Sequence, residues 1–514
     1  MSQLVLMIAK IDQIDNPEIM QELWRQEMPA PNLFEMKPEH YLNAIESQVE
    51  EIGVKFMRCL LVEQWKLSDE MLVAQFRQAQ NEPVTDDGFD YLKVASRIGI
   101  VQLPRQVCYL PVSDKHQIPG NAGLPEHEGQ VTTRGLQEWA CLLSRDLEFR
   151  TAQRLLGWVT HEPEIMSEPQ LRRWVVRHGA LMREAEKAEV EKLEQLKDLS
   201  ELQAQLVPSK TPRRPAAWEQ ELNQAVETAL AQPNPQPPKG ISTSDWERVL
   251  QARREEPERK AEELRRLGPE VRRGEVVASV DEVCVRKPEA RSFLELGTAY
   301  VRTASGYRYL SGDIEMVLRQ LFLLLTLCGG IQAQITLLGD GARWIMTFFE
   351  NRLRDWPLAA LILDWYHCCK KCYDLTSMIC RGRKAKQELM QRLLKHLWRG
   401  QVQETLDVLE EYRPQAKNTE KLDELIKYLN TRRAYIPNYQ QQRLQRHYIG
   451  SAHVEKGNDL LVARRQKNQG MHWSENASNS LAALQTLLLN HGWDAYWQKR
   501  QVLTLATQAA IPSL

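Results

Sequence analysis

The spacing of apolar positions changes period several times along this chain. From Ser2 to about Pro83 apolar residues recur mostly at helical spacing, most clearly in "YLNAIESQVEEIGVKFMRCLLVEQW", which predicts a mainly helical start. "GIVQLPRQVCYLPVS" (Gly99 to Ser113) reads as two short strands around Pro104, a small hairpin followed by a glycine- and proline-bearing loop. Helical spacing then returns in two or three short helices. Phe149, Ala152, Leu155, Leu156 and Val159 share one face, and Gly157 and Pro163 mark a break. Ser167 to Gln170 has the S-x-x-Q form of a capping box, with Pro169 in the first turn of the next helix. That helix turns Leu171, Trp174, Val175 and His178 inward and leaves Gln170, Arg172, Arg173 and Arg177 pointing away.

"REAEKAEVEKLEQLKDLSELQAQL" (Arg183 to Leu206) is a charged helix with Leu193, Leu196, Leu199 and Leu202 three residues apart. That spacing drifts around a helix of 3.6 residues per turn, so it gives either a short coiled coil or a spacer. "VPSKTPRR" and "AQPNPQPPKG" are proline-rich and polar, and "RREEPERKAEELRRLGPEVRRG" is a dense charge run, which makes 207–274 a linker with helical islands. Beyond it, "EVVASVDEVCVR", "RSFLELGTAYVRT" and "GYRYLSG" read as strands with short turns, and "DIEMVLRQLFLLLTLCGG" as a helix stopped by Gly-Gly. "AQITLLGDGA" is a strand ending in Asp340, "RWIMTFFENRLR" a helix, and "PLAALILDWYH" a strand ending in Asp364. A three-strand meander followed by alternating helix and strand is the order of an RNase H-like domain, and the meander counts against a generic doubly wound sheet.

From Lys370 to about Arg433 the spacing is helical throughout, an insertion into the sheet domain. The domain resumes with "YIGSAHVEKGNDLLVARRQKNQGMHW", a helix capped by Ser451 and stopped near Gly470. The expected fold class is therefore multidomain α+β: a helical N-terminal region with a small β-hairpin (1–130), a helix-turn-helix (131–180), a charged helix with a proline-rich linker (181–274), an RNase H-like α/β core (275–368 and 441–514), and an all-helical insertion (369–440).

Composition narrows this picture. A chain of 514 residues exceeds one hydrophobic core, and a net charge of −1 leaves nucleic-acid binding to local basic patches. The longest apolar run, "LFLLLTLC", falls far short of the roughly 20 residues that span a bilayer. "MSQLVLMIAKIDQ" lacks a basic region ahead of a long apolar one, so a cytoplasmic protein with no membrane association is expected. Nine unevenly spaced cysteines fit reduced thiols.

Three carboxylates then stand out. Asp281 lies inside an apolar strand, where a charge costs free energy unless it is paired or metal-bound. Asp340 ends a strand in "GDGA", which is also a common turn, and Glu455 lies on a helix, where glutamate is ordinarily solvated. An RNase H-like arrangement makes the three converge, and such oxygen donors suit Mg²⁺ or Mn²⁺. Two such ions activate a water or a 3′-hydroxyl on one side of a phosphodiester and stabilise the leaving oxygen on the other. Lys370, Lys371, Arg381, Arg383, Lys384 and Lys386, and then Arg464, Arg465 and Lys467 after Glu455, either bring positive charge to where phosphates lie or form ordinary solvated helix faces. Gln170, Arg172, Arg173 and Arg177 suit either a recognition helix in a major groove or an ordinary solvated surface.

"SVDEV", "LGDGARWI", "LDWYH" and "IGSAHVEKGNDLLVARRQKNQGMHWSE" resemble successive blocks of DDE transposases of the ISKra type, bacterial insertion-sequence enzymes, over about Val276 to Trp473. "RTAQRLLGW" and "SEPQLRRWVVRHG" resemble the helix-turn-helix upstream in that family. The resemblance implies that Asp281, Asp340 and Glu455 form a metal-binding catalytic triad, and that Asp364 and His367 match a D-x-x-H signature of related Mutator-like transposases beside the active site. The chain departs from the family at Asp281-Glu282, where many relatives have Asp-Gly, and in "GSAHVEK". In the region ahead of "RTAQRLLGW", where many relatives carry paired cysteines, this chain has only Cys108 and Cys141, so no zinc is expected there. Of Cys368, Cys369 and Cys372, only the first and last share a helical face, and no fourth ligand accompanies them and His367.

The implied function is DNA transposition. The helix-turn-helix binds double-stranded terminal inverted repeats, the core cuts and rejoins strands into target DNA with two divalent ions, and pairing of two ends implies at least a homodimer, with the helix from Arg183 and the insertion as its contacts. The implied location is the bacterial cytoplasm, on the nucleoid when DNA-bound. A catalytically inactive, transposase-derived DNA-binding protein is the alternative, and a nuclease without strand transfer is a third reading.

Overall fold

Strand pairing organises both parts of the chain. The structure, a computed structural model, describes residues 4–11, 20–28, 37, 40–124, 131–195, 247, 269–289, 292–467, 470–502 and 505. The chain divides into one unit of 1–178 with 497–500 and a second of 179–496 with 501–514.

The first unit departs from its expected helical start. β1 (Leu4–Ile11) and β2 (Met20–Met28) pair antiparallel, and only then does α1 (Tyr41–Ala79) begin. "LVLMIAKI" is short enough to fit either period, and its partner strand decides between them. β3 (Thr85–Ser96) and β4 (Gly99–Leu110) form a long hairpin, so the two short strands expected around Pro104 are one. β3 escaped the sequence reading because its first half, "TDDGFD", is poor in strand-forming residues. Pro104 is tolerated because β5 (Lys115–Gln117) pairs only with Cys108 to Leu110, leaving the outer edge of β4 without a ladder at the proline. β6 (Val131–Thr132) completes the order β5-β4-β3-β6. Leu61, Val62 and Trp65 of α1 pack on Val94, Val101, Leu103 and Val131 of this sheet.

α2 (Arg134–Asp146), α3 (Phe149–Val159) and α4 (Glu168–Glu194) follow. One half of the capping box forms: Gln170 Oε1 accepts from Ser167 N at 2.8 Å, and the Ser167 hydroxyl donates to the same oxygen at 3.0 Å. Leu171, Val175 and His178 are buried, Trp174 partly so, and Arg172, Arg173 and Arg177 are exposed. Val159, expected on the inner face of its helix, is 40% exposed. α4 does not stop near residue 180. It continues as one helix of 27 residues into the second unit, because nothing in "HGALMREAEK" breaks it. Val190 and Leu193 are buried in the core of the second unit, so this part of the charged helix is neither a spacer nor a free coiled-coil seam. Leu196, Leu199 and Leu202, and the stretches "VPSKTPRR" and "AQPNPQPPKG", lie outside the described residues.

The second unit holds β7 (Glu275–Arg286), β8 (Phe293–Thr303), β9 (Gly306–Gly312), α5 (Ile314–Leu327), β10 (Gln334–Gly339), α6 (Arg343–Arg352) and β11 (Ala359–Leu363). Its sheet has the order β9-β8-β7-β10-β11, with β7 to β9 antiparallel and β10 and β11 parallel to β7. Val276, Ala278 and Val280 point to a core shared with α5, α6 and the end of α4. Val277, Leu338 and Ile362 point the other way, toward α7 (Trp365–Ile379), α8 (Arg383–Trp398), α9 (Val402–Tyr412), α10 (Thr419–Thr431) and α11 (Tyr439–Leu444). The inserted helices are thus one layer of the sheet domain's core. α12 (Ala452–Asn458) continues through a π-helical turn, Asp459–Ala463, to Gln466, short of the expected stop near Gly470, and α13 (Glu475–Leu489) follows. No described helix is long and apolar enough to cross a membrane.

Two predictions follow from this packing. A Cβ on Gly179 would fall 2.4 Å from Ser480 Cα, a backbone atom that has nowhere to go. Gly179→Ala is expected to cost about 1–3 kcal/mol of stability in chemical denaturation. His178, buried against Trp174 and Trp497, is held neutral: burial first, then the Arg134 and Arg177 charges, push its pKa down to about 3 from 6.5. The unfolded chain binds that proton below about pH 6.5 and the folded one does not. Its contribution to stability is therefore complete above pH 6.5 and shrinks by about 1.4 kcal/mol per unit as pH falls toward 3. Between pH 6.5 and 4.5, His178→Leu should show a shallower loss of stability than wild type; equal slopes would refute the assignment.

Candidate metal centre

Neighbouring strands bring three aspartates level. Leu338 of β10 lies opposite Ser279 of β7, and Gly339 opposite Leu363 of β11. Continuing that register aligns Asp281, Asp340 and Asp364 across strands spaced about 4.8 Å apart. The two-residue period places them on the face of Val277, Leu338 and Ile362. The Asp364 N–H bonds to Gly339 O at 2.8 Å, which fixes the end of β11 against β10.

Each carboxylate is then held differently. Asp281 Oδ1 accepts from Glu282 N at 2.9 Å and Oδ2 from Asn458 Nδ2 at 2.6 Å, and the Thr298 hydroxyl reaches both Asn458 Oδ1 and Asp281 O. Asp340 Oδ1 accepts from Ala342 N at 2.7 Å, which closes the turn expected of Asp-Gly. Gly341, at φ +79°, also lends its carbonyl to Arg432 Nε of the insertion at 3.0 Å. Asp364 is wholly buried and caps α7. Its Oδ1 accepts from His367 N at 2.9 Å, and its Oδ2 accepts the backbone N–H of Ser451 and, at 2.5 Å, the Ser451 hydroxyl. Ser451 therefore stands at the start of α12 without capping it, against expectation, because its hydroxyl is spent on Asp364.

Glu455, one turn into α12 and 49% exposed, faces His367. His367 Nδ1 lies 3.5 Å from Asp364 Oδ1 and 3.6 Å from Glu455 Oε1, is itself buried, and makes no hydrogen bond. The ligand atoms of Asp364, His367 and Glu455 all fall within 4.8 Å of one another. A buried imidazole nitrogen between two carboxylates is a donor set that fits a divalent cation. The same negative charge also favours a proton on His367, which a bound cation would have to displace. The Asp364 carboxylate raises the His367 pKa above 6.5, burial opposes it, and Glu455 and Asp340 add to the rise. Burial pushes the Asp281 carboxyl up, the nearby Asp340 charge pushes it further, and the Glu282 N–H, His367 and Asn458 oppose this. Burial alone would raise Asp364 as well, but the bonds from His367 and Ser451 outweigh it and hold the carboxyl below its ordinary value.

The compact ligand group among the described residues is thus Asp364, His367 and Glu455, not the expected Asp281, Asp340 and Glu455. Asp281 and Asp340 line the same pocket of charge, since both act electrostatically on His367 or on each other. Sequence reasoning missed Asn458 and Thr298 and gave Ser451 only a capping role. Asn458 had a signal, three residues beyond Glu455 on the same helical face; Thr298 becomes a neighbour only through β7–β8 pairing, opposite Asp281.

Among the residues expected to meet DNA, Arg464 and Lys467 are exposed, but Arg465 is 4% exposed and stacked over Trp473 at 4.9 Å, within the protein's own packing. Gln170 is engaged in its capping box. Arg172 lies over the Phe149 ring and Arg177 over Trp174. Cys368 and Cys372 are fully buried core thiols, as are Cys108 and Cys141. No protein-family model and no curated protein sequence matches the chain.

Ser451→Ala removes a donor from a buried, charged carboxylate and should lower stability by about 1–3 kcal/mol. It should also weaken Mn²⁺ binding, measured by calorimetry, because Asp364 and α12 lose their tie. Unchanged Mn²⁺ affinity would separate Asp364 from the metal centre.

Proposed function

We propose that this protein cuts and rejoins DNA strands as a DDE-type transposase on an RNase H-like core. The observation that carries this reading is the strand order β9-β8-β7-β10-β11, with Asp281 on the central strand, Asp340 level with it next door, and Glu455 delivered by α12, whose Asn458 reaches Asp281. When bound, two Mg²⁺ or Mn²⁺ ions would supply activation of a water or 3′-hydroxyl and stabilisation of the leaving oxygen. Asp281, Asp340 and Glu455 would hold them, with Asp364 and His367 beside. Asn458 and Thr298 keep the Asp281 carboxylate aimed, and Asp364 ties the start of α12 to the end of β11. His367, protonated more readily than a free histidine, offsets the crowded carboxylates. Arg464 and Lys467 supply exposed cations for phosphates beyond α12, and Arg172, Arg173 and Arg177 give α4 an exposed basic face for the terminal repeats. Pairing of two ends would require at least a dimer.

One observation favours the second reading, a catalytically inactive DNA-binding descendant. Glu455 groups with Asp364 and His367 more tightly than with the two other triad carboxylates. Cleavage decides between them. A duplex carrying the repeats that flank the coding region should be cut at the repeat boundary in Mg²⁺ or Mn²⁺. Asp281→Ala, Asp340→Ala and Glu455→Ala should each reduce cutting by more than about a hundredfold, since loss of an outer partner of a metal site alone costs ten- to hundredfold. Repeat binding without cutting would establish the inactive protein, and failure to bind repeats would overturn both readings.

A further inference from the structure

We propose that the outer face of α7 is a track for a single polynucleotide strand with unpaired bases, running away from the carboxylate cluster; this deepens, and rests on, the nucleic-acid reading above. α7 begins beside Asp364, and its inward positions Cys368, Cys372, Leu375 and Ile379 are buried. Its outward stripe is Tyr366, Lys370, Tyr373 and Ser377, all exposed and spaced i, i+4, i+7 and i+11. A merely solvated stripe has no need of large rings. Here Tyr366 is 59% and Tyr373 57% exposed.

Both rings are placed. Tyr366 lies on Gly450, where a Cβ would come within 2.6 Å of its ring, so it is seated against the turn leading into Ser451 and Glu455. Tyr373 carries the Lys386 ammonium 3.0 Å from its ring centre, and the same ammonium bonds Ser377 Oγ. Past the helix, Arg381, Arg383 and Lys384 are exposed. With Lys370 they set four exposed cations against one exposed carboxylate on the helix, Asp374. Lys371 is turned aside into a 3.0 Å pair with Glu424.

This combination identifies the ligand by its chemistry. Exposed rings take the flat faces of bases, and interleaved cations take phosphates. A duplex keeps its base faces stacked on one another and cannot cover the tyrosines, so the track selects unpaired nucleotides. Seven residues of helix separate the rings by about 10.5 Å, close to three base steps of about 3.4 Å. The ring nearer the cluster would hold a base next to the strand position where the carboxylates act.

The test is fluorescence anisotropy in EDTA with a labelled 12-nucleotide single strand and, in parallel, a blunt duplex of the same sequence. Tyr366→Ala and Tyr373→Ala should each lose about five- to a hundredfold in single-strand affinity. Tyr366→Phe and Tyr373→Phe, which keep a ring, should stay within about twofold of wild type, and Lys370→Glu should weaken binding with both rings in place. Duplex affinity of the alanine variants should not change. The track is overturned if the alanine variants bind the single strand as wild type does, or if they lose single-strand and duplex affinity equally. A protein that binds single strands through these rings but never cuts in Mg²⁺ or Mn²⁺ upholds the track and rejects the strand-cutting reading. One that cuts repeat ends while both alanine variants keep full affinity rejects the track alone.

Discussion

The Asp364 carboxylate is the tie on which the candidate centre depends. It is wholly buried, yet it accepts from His367 N on one oxygen and from the Ser451 backbone and hydroxyl on the other. One side chain thereby joins the end of β11, the first turn of α7 and the start of α12. The latter two are separated by the whole helical insertion. A buried carboxylate is costly unless its oxygens are met by donors, and here the donors outweigh burial and hold it ionised. Without that tie, nothing obliges Glu455 and His367 to face each other.

The rest of the cluster is a problem of like charge. Asp281 and Asp340 stand level on adjacent strands, and the Asp281 carboxyl is raised first by its burial and then by the Asp340 charge. Part of the relief comes from neutral donors, Asn458 to Asp281 and the Ala342 N–H to Asp340, and part from His367, whose affinity for a proton is enhanced first by Asp364 and then by Glu455 and Asp340. A π-helical turn, Asp459–Ala463, begins at the residue after Asn458, and such turns often mark functional sites.

The insertion belongs to this design and is not an appendage. Its helices share a core with Val277, Leu338, Ile362 and Leu363, and Arg432 at its far end grips the carbonyl of Gly341 beside Asp340. Tyr439 does the same for the Leu363 carbonyl at 2.8 Å. Both grips fall on residues flanking the aspartates, so the inserted helices brace the strand ends from which the carboxylates project.

The sequence by itself determined the strands of the second unit, their meander-then-alternation order, the capping box at Ser167 and the inward face of the following helix. In each case a local period or a short-range hydrogen bond carries the information. It also singled out Asp281, Asp340 and Asp364, because carboxylates at strand ends or inside apolar runs violate the pattern around them, whereas Glu455 and His367 stood out only through the resemblance of their motifs. Tertiary structure decided what local patterns cannot encode. β1, β2 and β3 exist because partner strands complete them, and α4 runs on past residue 180 because Val190 and Leu193 find a core in the second unit. Arg465 became a packing residue once Trp473 folded over it. The grouping of Glu455 with Asp364 and His367 depends on a hydrogen bond between residues 87 positions apart, a separation at which spacing along the chain says nothing about distance.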